Sequence, residues 1–291
     1  MKRKNKTKKI CFWPAWFYHD LTGRKLPLSR SDLKILEQAN LDLWRALNIY
    51  DDFLDQEGRP SDLPLGNGYY RRFLTAYYRL DLPIPFYQIM EKILDKLDKA
   101  NRNETLYYRA RKKKDELIFP SRLPGWKNID GLADKSLALA LSPIAILYLF
   151  KKGKSDKQPN DRRIKATLNF FRFALTAKQL ADDAGDWRED LAKGRLTPAN
   201  ALIVRAAREK NIKLDLRHDP TTACLIFATE ASRPISDRIS ELGRKAKKAA
   251  GRAGLKENGY LINNIIRPLE AAVEETNDFR RRLADERIKM L

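Results

Sequence analysis

Hydrophobic residues recur along most of the chain at three- and four-residue intervals, the spacing that places them on one face of an α-helix. The clearest stripe consists of Leu36, Leu43, Leu47, Tyr50 and Leu54. A serine ahead of this stripe, Ser29 or Ser31, can act as the N-cap of the helix. Similar patterns predict helices over residues 69–80, 85–100, 103–118, 131–150 and 161–193, and two more after residue 234 that divide near 251–259.

Turn and capping residues predict where these helices begin and end. The signals that stop the long helix and open the next two are Gly194, Thr197-Pro198 and Asp219-Pro220. Glycines and prolines predict loops over 58–68 and 119–131. Residues 221–228 have the composition of a strand, but a lone strand has nothing with which to pair. The sequence therefore predicts an all-α fold.

The predicted organisation is a short N-terminal segment followed by one domain. We expect residues 1–28 to form an irregular basic and aromatic lead-in, and residues 29–291 to form a single helical bundle around a central cavity. The longest uncharged apolar run, 137–150, is interrupted by Pro143 and is too short to span a membrane. The N-terminus does not resemble a signal peptide, so we expect a cytoplasmic protein.

Composition narrows the class of protein and of partner. The 291 residues are 43% hydrophobic and 33% charged, which is typical of a soluble globular protein. Two cysteines and two histidines argue against a disulfide scaffold, a cysteine-based zinc site and a histidine-rich metal site. Lysine and arginine total 58 against 38 acidic residues, and the resulting net charge of +20 predicts an anionic partner.

The first of two aspartate clusters ends the stripe of the first strong helix. Its sequence is Asp51-Asp52-Phe53-Leu54-Asp55, a D-D-x-x-D arrangement. On a helix, Asp51 and Asp55 lie one turn apart on the same face, with Asp52 beside them and Asn48 one turn earlier. These side chains are expected to form one acidic surface.

The second cluster lies in the long helix predicted over residues 161–193. Asp182, Asp186 and Asp190 are spaced at i, i+4 and i+8, with Asp183 beside them and Gln179 one turn earlier. Like charges at this spacing repel by roughly 0.2–0.5 kcal/mol per pair, and no lysine stands between the stacked aspartates. A run of aspartates on a helix is commonly a solvated face, but two such motifs in one all-α chain favour a shared function.

Binding of hard divalent cations is a function that explains both clusters, because such cations bind carboxylate oxygens. Mg²⁺ in particular binds one or two carboxylates together with phosphate oxygens and water. Two carboxylate faces opposed across a helical bundle can hold several Mg²⁺ ions around a diphosphate, where the metals stabilise charge on that leaving group. We therefore expect Mg²⁺ ligands at Asp51, Asp52, Asp55, Asp182, Asp183, Asp186 and Asp190.

Both aspartate clusters resemble motifs of a known family. The segment from Gln179 to Arg195 resembles the second aspartate-rich motif of the class I isoprenoid synthases, and Asp51, Asp52 and Asp55 resemble the first. Squalene and phytoene synthases carry a similar Q-L…D-x-x-E-D-x-x-x-G-R pattern followed shortly by proline. Polyprenyl diphosphate synthases carry Q-x-x-D-D-x-x-D and then Gly-Lys. The resemblance covers residues 30–200, and the rest fits only as further helices.

The resemblance implies a helical bundle whose cavity ionises an allylic isoprenyl diphosphate. Lys135-Ser136 resembles the Lys-Thr pair of the polyprenyl branch, in which the lysine holds diphosphate. The residues assigned to catalysis are Asp51, Asp52, Asp55, Asp182, Asp186 and Asp190. The residues assigned to substrate binding are Lys135, Gln179 and Arg195 for the diphosphate, Ala46 and Leu47 for the prenyl pocket, and Asn48 beside the first aspartate cluster.

The branch of the family stays open, with a lean towards head-to-head condensation of the squalene/phytoene type. The early position of Asp51 and the run Glu189-Asp190…Gly194-Arg195 favour that branch. Chain elongation usually requires an Arg-Arg-Gly after the first motif, whereas Arg59 here stands alone. A terpene cyclase and a chain-elongating synthase are the alternatives.

The positive charge allows two further interpretations. A basic, helical nucleic-acid-binding protein is the rival, but its phosphate partner would be repelled by two aspartate clusters, so we expect no nucleic acid. The run from Lys2 to Lys9, with nearby aromatic residues, also suits peripheral contact with an anionic membrane surface. We expect the chain to be a monomer or a homodimer.

Overall fold

The computed structural model of the chain describes residues 9–21, 28–113, 116–149, 161–215 and 219–289. The α-helices in these ranges are α1 Trp13–Asp20, α2 Arg30–Leu54, α3 Leu63–Tyr78, α4 Ile84–Tyr107, α5 Leu141–Leu149, α6 Asp161–Ala192, α7 Pro198–Glu209, α8 Pro220–Ile226, α9 Ser232–Ala253 and α10 Arg267–Lys289. Segments of 3₁₀-helix cover Pro60–Asp62, Trp126–Lys135 and Leu137–Ala140, and π-helical turns cover Phe227–Ala231 and Ile262–Ile266. The predicted all-α class is confirmed.

Several predicted capping residues act as caps in the structure. The Ser29 side chain accepts a hydrogen bond from the Asp32 N–H at the start of α2. Thr197 caps α7 in the same way, and Asp219 caps α8. Residues 221–228 are helical, because Asp219-Pro220 begins a helix there. Local capping chemistry therefore places these boundaries.

The helix predicted over 103–118 is wrong in its second half. The helix α4 continues to Tyr107, and the chain then forms an antiparallel hairpin of β1 (Arg111–Lys113) and β2 (Glu116–Ile118). The preceding residues pair with a distant segment: the Ala110 N–H donates to the Gly194 carbonyl at 2.8 Å. This long-range pairing leaves no trace in the local pattern.

The loop predicted over 58–68 is too long, since α3 begins at Leu63 and includes Gly66 and Gly68. A side chain at Gly66 would place its Cβ 3.1 Å from the Ile49 Cγ2 atom of α2. The glycine therefore permits close contact between α2 and α3. In the sequence, a glycine needed for packing cannot be distinguished from one that marks a loop.

The apolar segment 131–150 is not one continuous α-helix. Its first part is 3₁₀-helical, and the α-helix α5 begins only at Leu141. Proline is tolerated in the first turn of an α-helix but not in its interior, so Pro143 requires a start close to this position. Phe150 lies outside the described residues.

The lead-in is not irregular where the structure describes it, because Trp13–Asp20 forms α1. The Trp13 ring packs against Phe171 with 5.7 Å between ring centroids. The buried Asp20 carboxylate accepts hydrogen bonds from the backbone N–H groups of Tyr260 and Leu261 at 2.8 and 2.7 Å. Contacts far along the sequence therefore order this helix. Lys2 and the rest of residues 1–8 lie outside the described residues, as do residues 22–27.

The chain folds into two compact units. Unit 1 comprises residues 1–101, 134–172 and 246–264, and unit 2 comprises residues 102–133, 173–245 and 265–291. Each unit is assembled from three separate segments, so neither can be recognised as a block of sequence. The boundary at 28/29 and the single domain over 29–291 stay predictions.

The core of unit 1 contains aromatic rings and a buried polar network. Phe73, Tyr77 and Phe86 are fully buried, and their rings contact one another. The Tyr77 hydroxyl lies 2.9 Å from Ser142 Oγ, which lies 2.8 Å from Asn40 Oδ1. The network joins α2, α3 and α5.

Unit 2 has its own core. The Trp187 ring of α6 stacks on Phe227, with 4.9 Å between ring centroids and 11° between the ring planes. Leu191, one turn further along α6, is fully buried. The apolar face of this part of α6 is therefore packed, and Asp182, Asp186 and Asp190 lie on a different face of the same helix.

Candidate active site

The first aspartate cluster lies at the C-terminal end of α2, in unit 1. Asp51 and Asp52 are in its last turn, and Asp55 is the C-cap residue. The Asp52 carbonyl accepts hydrogen bonds from the Glu57 and Gly58 N–H groups, both at 2.8 Å. The C-terminus of a helix carries partial negative charge, so three carboxylates here favour a cation nearby.

Lys135 supplies one such cation. Its Nζ atom lies 3.2 Å from Asp51 Oδ1, although 84 positions separate the two residues in the chain. The Lys135 side chain is 25% exposed and that of Asp51 is 52% exposed. The structure thus brings together the lysine predicted to hold diphosphate and an aspartate predicted to hold Mg²⁺.

Asp134, which precedes Lys135, is an acidic residue that no sequence motif singled out. Burial raises the pKa of its carboxyl, while the positive charges of Arg172 and Lys96 act in the opposite direction. All of these residues belong to unit 1. The segment that carries Lys135 is therefore anchored in a partly buried, charged environment.

The second cluster lies on α6 in unit 2, and a basic residue contacts each end of it. Lys178 Nζ lies 2.5 Å from Asp182 Oδ2, one turn earlier on the helix. Arg195 Nη1 lies 3.4 Å from Asp190 Oδ1. Asp186, in the middle, is exposed. These cations reduce the repulsion that the aspartate spacing predicts.

Lys178 was missed at the sequence level, although its position offered a signal. It stands four residues before Asp182, the spacing at which opposite charges on a helix attract. A search confined to the residues between the aspartates overlooks it.

Asp183 differs from its neighbours because it is only 3% exposed. Its Oδ1 atom accepts a hydrogen bond from Gln179 Nε2 at 2.9 Å. Gln179, predicted to hold diphosphate, thus contacts an aspartate of its own helix. The burial of Asp183 favours a role as hydrogen-bond acceptor for Gln179, and its contact with Mg²⁺ stays a prediction.

Arg195 is placed by the way in which α6 ends. Gly194 adopts a φ of +74°, its N–H donates to the Leu191 carbonyl, and the Arg195 N–H donates to the Asp190 carbonyl at 2.8 Å. These two bonds form a Schellman motif, which requires the left-handed conformation that glycine adopts readily. The helix end therefore turns Arg195 back towards Asp190.

The other residues predicted to bind substrate, Ala46, Leu47 and Asn48, occupy the turn before Asp51. Ala46 is fully buried, and Leu47 and Asn48 are partly buried. The Asn48 side-chain amide donates to the Trp44 carbonyl at 2.6 Å, within α2. Their contact with a substrate stays a prediction.

The donor set of each cluster fits Mg²⁺ chemically. Asp51, Asp182 and Asp186 present carboxylate oxygens that solvent reaches at least in part, and Mg²⁺ completes its coordination with water and phosphate oxygens. Within the described part of the chain, no group of three or more His, Cys, Asp or Glu side chains converges into a metal site by itself. The described helices also include none that is long and apolar enough to cross a membrane.

Comparison with known proteins bears on the fold. The geranylgeranyl pyrophosphate synthetase from the archaeon Geoglobus acetivorans has a similar solved structure, with a TM-score of 0.61 and 15% sequence identity. The similarity covers 91% of this chain and 84% of that one. No protein-family model matches the chain, and no curated protein sequence matches it. The chain therefore has the helical fold of the class I isoprenoid synthases, as the resemblance of its aspartate motifs predicted.

Proposed function

We propose that the chain is a Mg²⁺-dependent prenyltransferase that ionises an allylic isoprenyl diphosphate. The observation that carries the proposal is the 3.2 Å contact between Lys135 Nζ and Asp51 Oδ1. A lysine at this distance from a metal-ligating carboxylate can bind an oxygen of the diphosphate that the metal also contacts. The isoprenoid synthase fold and the second cluster on α6 support the same function.

The proposal gives each group of residues a separate task. Asp51, Asp52 and Asp55 supply oxygen ligands at the end of α2, and Asp182, Asp186 and Asp190 supply them on α6. Bound Mg²⁺ neutralises the negative charge that develops on the diphosphate. Lys135, Gln179 and Arg195 donate to phosphate oxygens, and Asp183 supports Gln179.

The reaction begins when the allylic C–O bond breaks and both bonding electrons leave with the diphosphate. The double bond of a second isoprenoid captures the allylic cation that remains, and the new cation formed by this capture then loses a proton to the released diphosphate or to water. Lys135 assists the first step because its ammonium group favours added negative charge on the departing phosphate. Ala46 and Leu47 contact the prenyl chain in this proposal, and Asn48 contacts the substrate beside the first aspartate cluster.

Head-to-head condensation remains the favoured subclass. Arg59, the single arginine after the first motif, is held by Asp62 through Nε–Oδ2 and Nη2–Oδ1 contacts of 3.1 and 3.2 Å. Arg59, paired in this way within its own turn, does not supply the two-arginine site that chain elongation usually requires after the first motif. Chain elongation is the second candidate, because the similar solved structure is a geranylgeranyl pyrophosphate synthetase.

Isosteric removal of one carboxylate from each cluster tests the proposal. In Asp51→Asn and Asp186→Asn, we expect Mg²⁺-dependent release of diphosphate from labelled farnesyl or geranylgeranyl diphosphate to fall by on the order of 100-fold or more, because charge stabilisation at the leaving group is lost. The matched controls are Asp95→Asn in unit 1 and Asp237→Asn in unit 2, which change exposed aspartates elsewhere.

Product identification in the same assay separates the subclasses. A head-to-head product from the allylic diphosphate alone supports the favoured reaction, whereas a longer diphosphate formed only with isopentenyl diphosphate supports elongation. A cyclic hydrocarbon indicates a cyclase. Full Mg²⁺-dependent activity in both cluster variants contradicts the assignment of the site.

A further inference from the structure

A second charged site lies between α2 and α3, within unit 1. The two helices pack against each other and leave a groove of about 710 Å³ between them. Its charged or hydroxyl-bearing lining residues are Lys34, Asp42, Arg71, Arg72, Thr75 and Arg79. Four basic side chains and one acidic side chain give this groove a net positive charge.

The buried carboxylate of Asp42 positions one of the arginines. Asp42 is 2% exposed, and its Oδ2 atom lies 3.5 Å from Arg72 Nε. The Arg72 guanidinium also lies over the Tyr69 ring, with its Cζ atom 4.6 Å from the ring centroid. Because both contacts fix the guanidinium, Arg72 is ordered before any ligand arrives.

The other arginines of the groove add charge that Asp42 does not balance. Arg71 and Arg79 are both exposed, and in the described ranges neither lies within salt-bridge distance of a carboxylate. With Thr75 between them, they follow the i, i+4, i+8 spacing of one face of α3. The two arginines therefore leave positive charge on this face of α3 that a bound anion can balance.

Phosphate is the anion that such a set of donors suits. The planar guanidinium presents paired N–H groups that match two oxygens of a phosphate, and charge-assisted hydrogen bonds of this kind are about twice as strong as neutral ones. Lys34 adds an ammonium group to the same groove. A simple solvated surface would explain scattered basic residues, but not their convergence on a groove beside a buried carboxylate.

The groove is distinct from the first aspartate cluster. Asp42 stands nine residues before Asp51 on α2, which is roughly 13 Å along a helix axis. The two sites also differ in chemistry, because guanidinium groups bind phosphate directly whereas a carboxylate cluster requires a metal between itself and the phosphate. Binding at the groove therefore needs no Mg²⁺.

We propose that this groove binds a phosphate or diphosphate group directly and without metal, through Arg71, Arg72, Arg79 and Lys34. The ligand class is a phosphate ester, either free in solution or at the headgroup of an anionic phospholipid. Part of the chain's +20 charge thus serves a defined anion site. The proposal is independent of the prenyltransferase assignment.

Calorimetric titration of the full chain with pyrophosphate, in excess EDTA and at about 0.15 M salt, tests the proposal. We expect saturable binding by the unaltered chain and at least about tenfold weaker binding by the Arg71→Gln/Arg79→Gln variant. Lys92→Gln/Lys99→Gln is the matched control, because it removes two exposed positive charges from α4 in the same unit.

A second variant covers the case in which the double substitution disturbs α3. Thr75→Glu keeps every arginine and introduces a carboxylate at an exposed position that lines the groove. This substitution should weaken pyrophosphate binding as strongly as Arg71→Gln/Arg79→Gln does, while the far-ultraviolet circular dichroism spectrum stays unchanged. Absence of binding by the unaltered chain in EDTA overturns the proposal, and so does an equal loss in the Lys92→Gln/Lys99→Gln control.

Vesicles separate the two sources of phosphate. If the ligand is a lipid headgroup, the chain sediments with phosphatidylcholine vesicles only when they contain phosphatidylglycerol, and Arg71→Gln/Arg79→Gln abolishes this sedimentation. If the ligand is free, pyrophosphate binds and phosphatidylglycerol has no effect. EDTA removes Mg²⁺, so a failure to bind pyrophosphate in EDTA would not contradict the prenyltransferase proposal. Loss of activity in the aspartate variants would likewise not contradict the proposal of an anion site in the groove.

Discussion

Tyr77 shows how one buried hydroxyl contributes to the core of unit 1. Its side chain is fully buried, and its hydroxyl lies 2.9 Å from Ser142 Oγ. Ser142 Oγ in turn lies within hydrogen-bond distance of Asn40 Oδ1 and of the Leu36 carbonyl, so its proton is used there and Tyr77 donates to Ser142. Burial raises the pKa of the Tyr77 hydroxyl, which keeps it a donor.

Removing that hydroxyl should reduce stability by a modest amount. In Tyr77→Phe we expect the free energy of unfolding in urea to fall by about 1 kcal/mol, since one buried hydrogen bond is lost and Ser142 keeps its other contacts. Tyr78→Phe is the control, because Tyr78 is 67% exposed and should change by less than about 0.5 kcal/mol. Equal effects of the two substitutions would contradict the role of the network.

Single residues also set the limit of sequence-based prediction at the site. The D-D-x-x-D pattern places Asp51 and Asp52 on one helix end, as expected. The exposure of neighbouring aspartates does not follow from the pattern: Asp183 is buried and Asp186 is exposed. Burial depends on which elements pack against each face of α6, and those elements come from elsewhere in the chain.

At the level of the element, the end of α6 links stability to the candidate site. The Schellman motif around Gly194 terminates the helix and brings the Arg195 guanidinium to the Asp190 carboxylate. Gly194 also approaches Ala110 closely, where an added Cβ would lie 3.2 Å from the Ala110 Cβ atom. The glycine is therefore needed for both backbone conformation and space.

Substitution of this glycine should be destabilising. We expect Gly194→Ala to lower the free energy of unfolding by roughly 1–2 kcal/mol, the usual penalty for a side chain in the left-handed region. Gly185→Ala, in the interior of the same helix with no atom near its added Cβ, should instead stabilise by about 0.5–1 kcal/mol. Chemical denaturation of the three proteins measures both changes, and a shift of the same sign in both variants would refute this interpretation.

The hairpin of β1 and β2 is the element that sequence patterns failed to predict. The strand β1 is made of basic residues only, and such a run lacks the apolar periodicity that identifies either type of element. Pairing of Ala110 with Gly194, and of Leu196 with Tyr108, orders the segment that precedes it. Such partners lie too far along the chain for a local pattern to reveal.

For the whole molecule, the question is whether the two aspartate clusters act on one ligand. The proposed function assigns the cluster on α2 and the cluster on α6 to the same Mg²⁺–diphosphate complex. A ligand that binds only the folded chain stabilises it, by about 2.7 kcal/mol at 100 times its Kd. Pyrophosphate raises Tm by one amount in the presence of Mg²⁺ and by another in EDTA. The difference between these two gains in Tm therefore reports on the metal-dependent site alone.

A double-mutant cycle with this readout distinguishes one shared site from two. We expect Asp51→Asn and Asp186→Asn each to remove most of the Mg²⁺-dependent gain in Tm. The double variant should lose no more of this gain than either single variant, because the effects of substitutions that act on one ligand do not add. Additive losses would show that the clusters bind separate ligands. Asp95→Asn should retain the full gain.

The amino-acid sequence by itself determined the helical class, the caps at Thr197 and Asp219, and the spacing of the aspartates. These features depend on residues within a turn or two of one another, so periodicity and capping chemistry suffice to predict them. Only the tertiary structure decided that Lys135 reaches Asp51, that Asp183 is buried, and that Arg71, Arg72 and Arg79 converge on a groove beside Asp42. Each of these depends on contacts between segments that are distant in the chain, and packing of the folded molecule selects them.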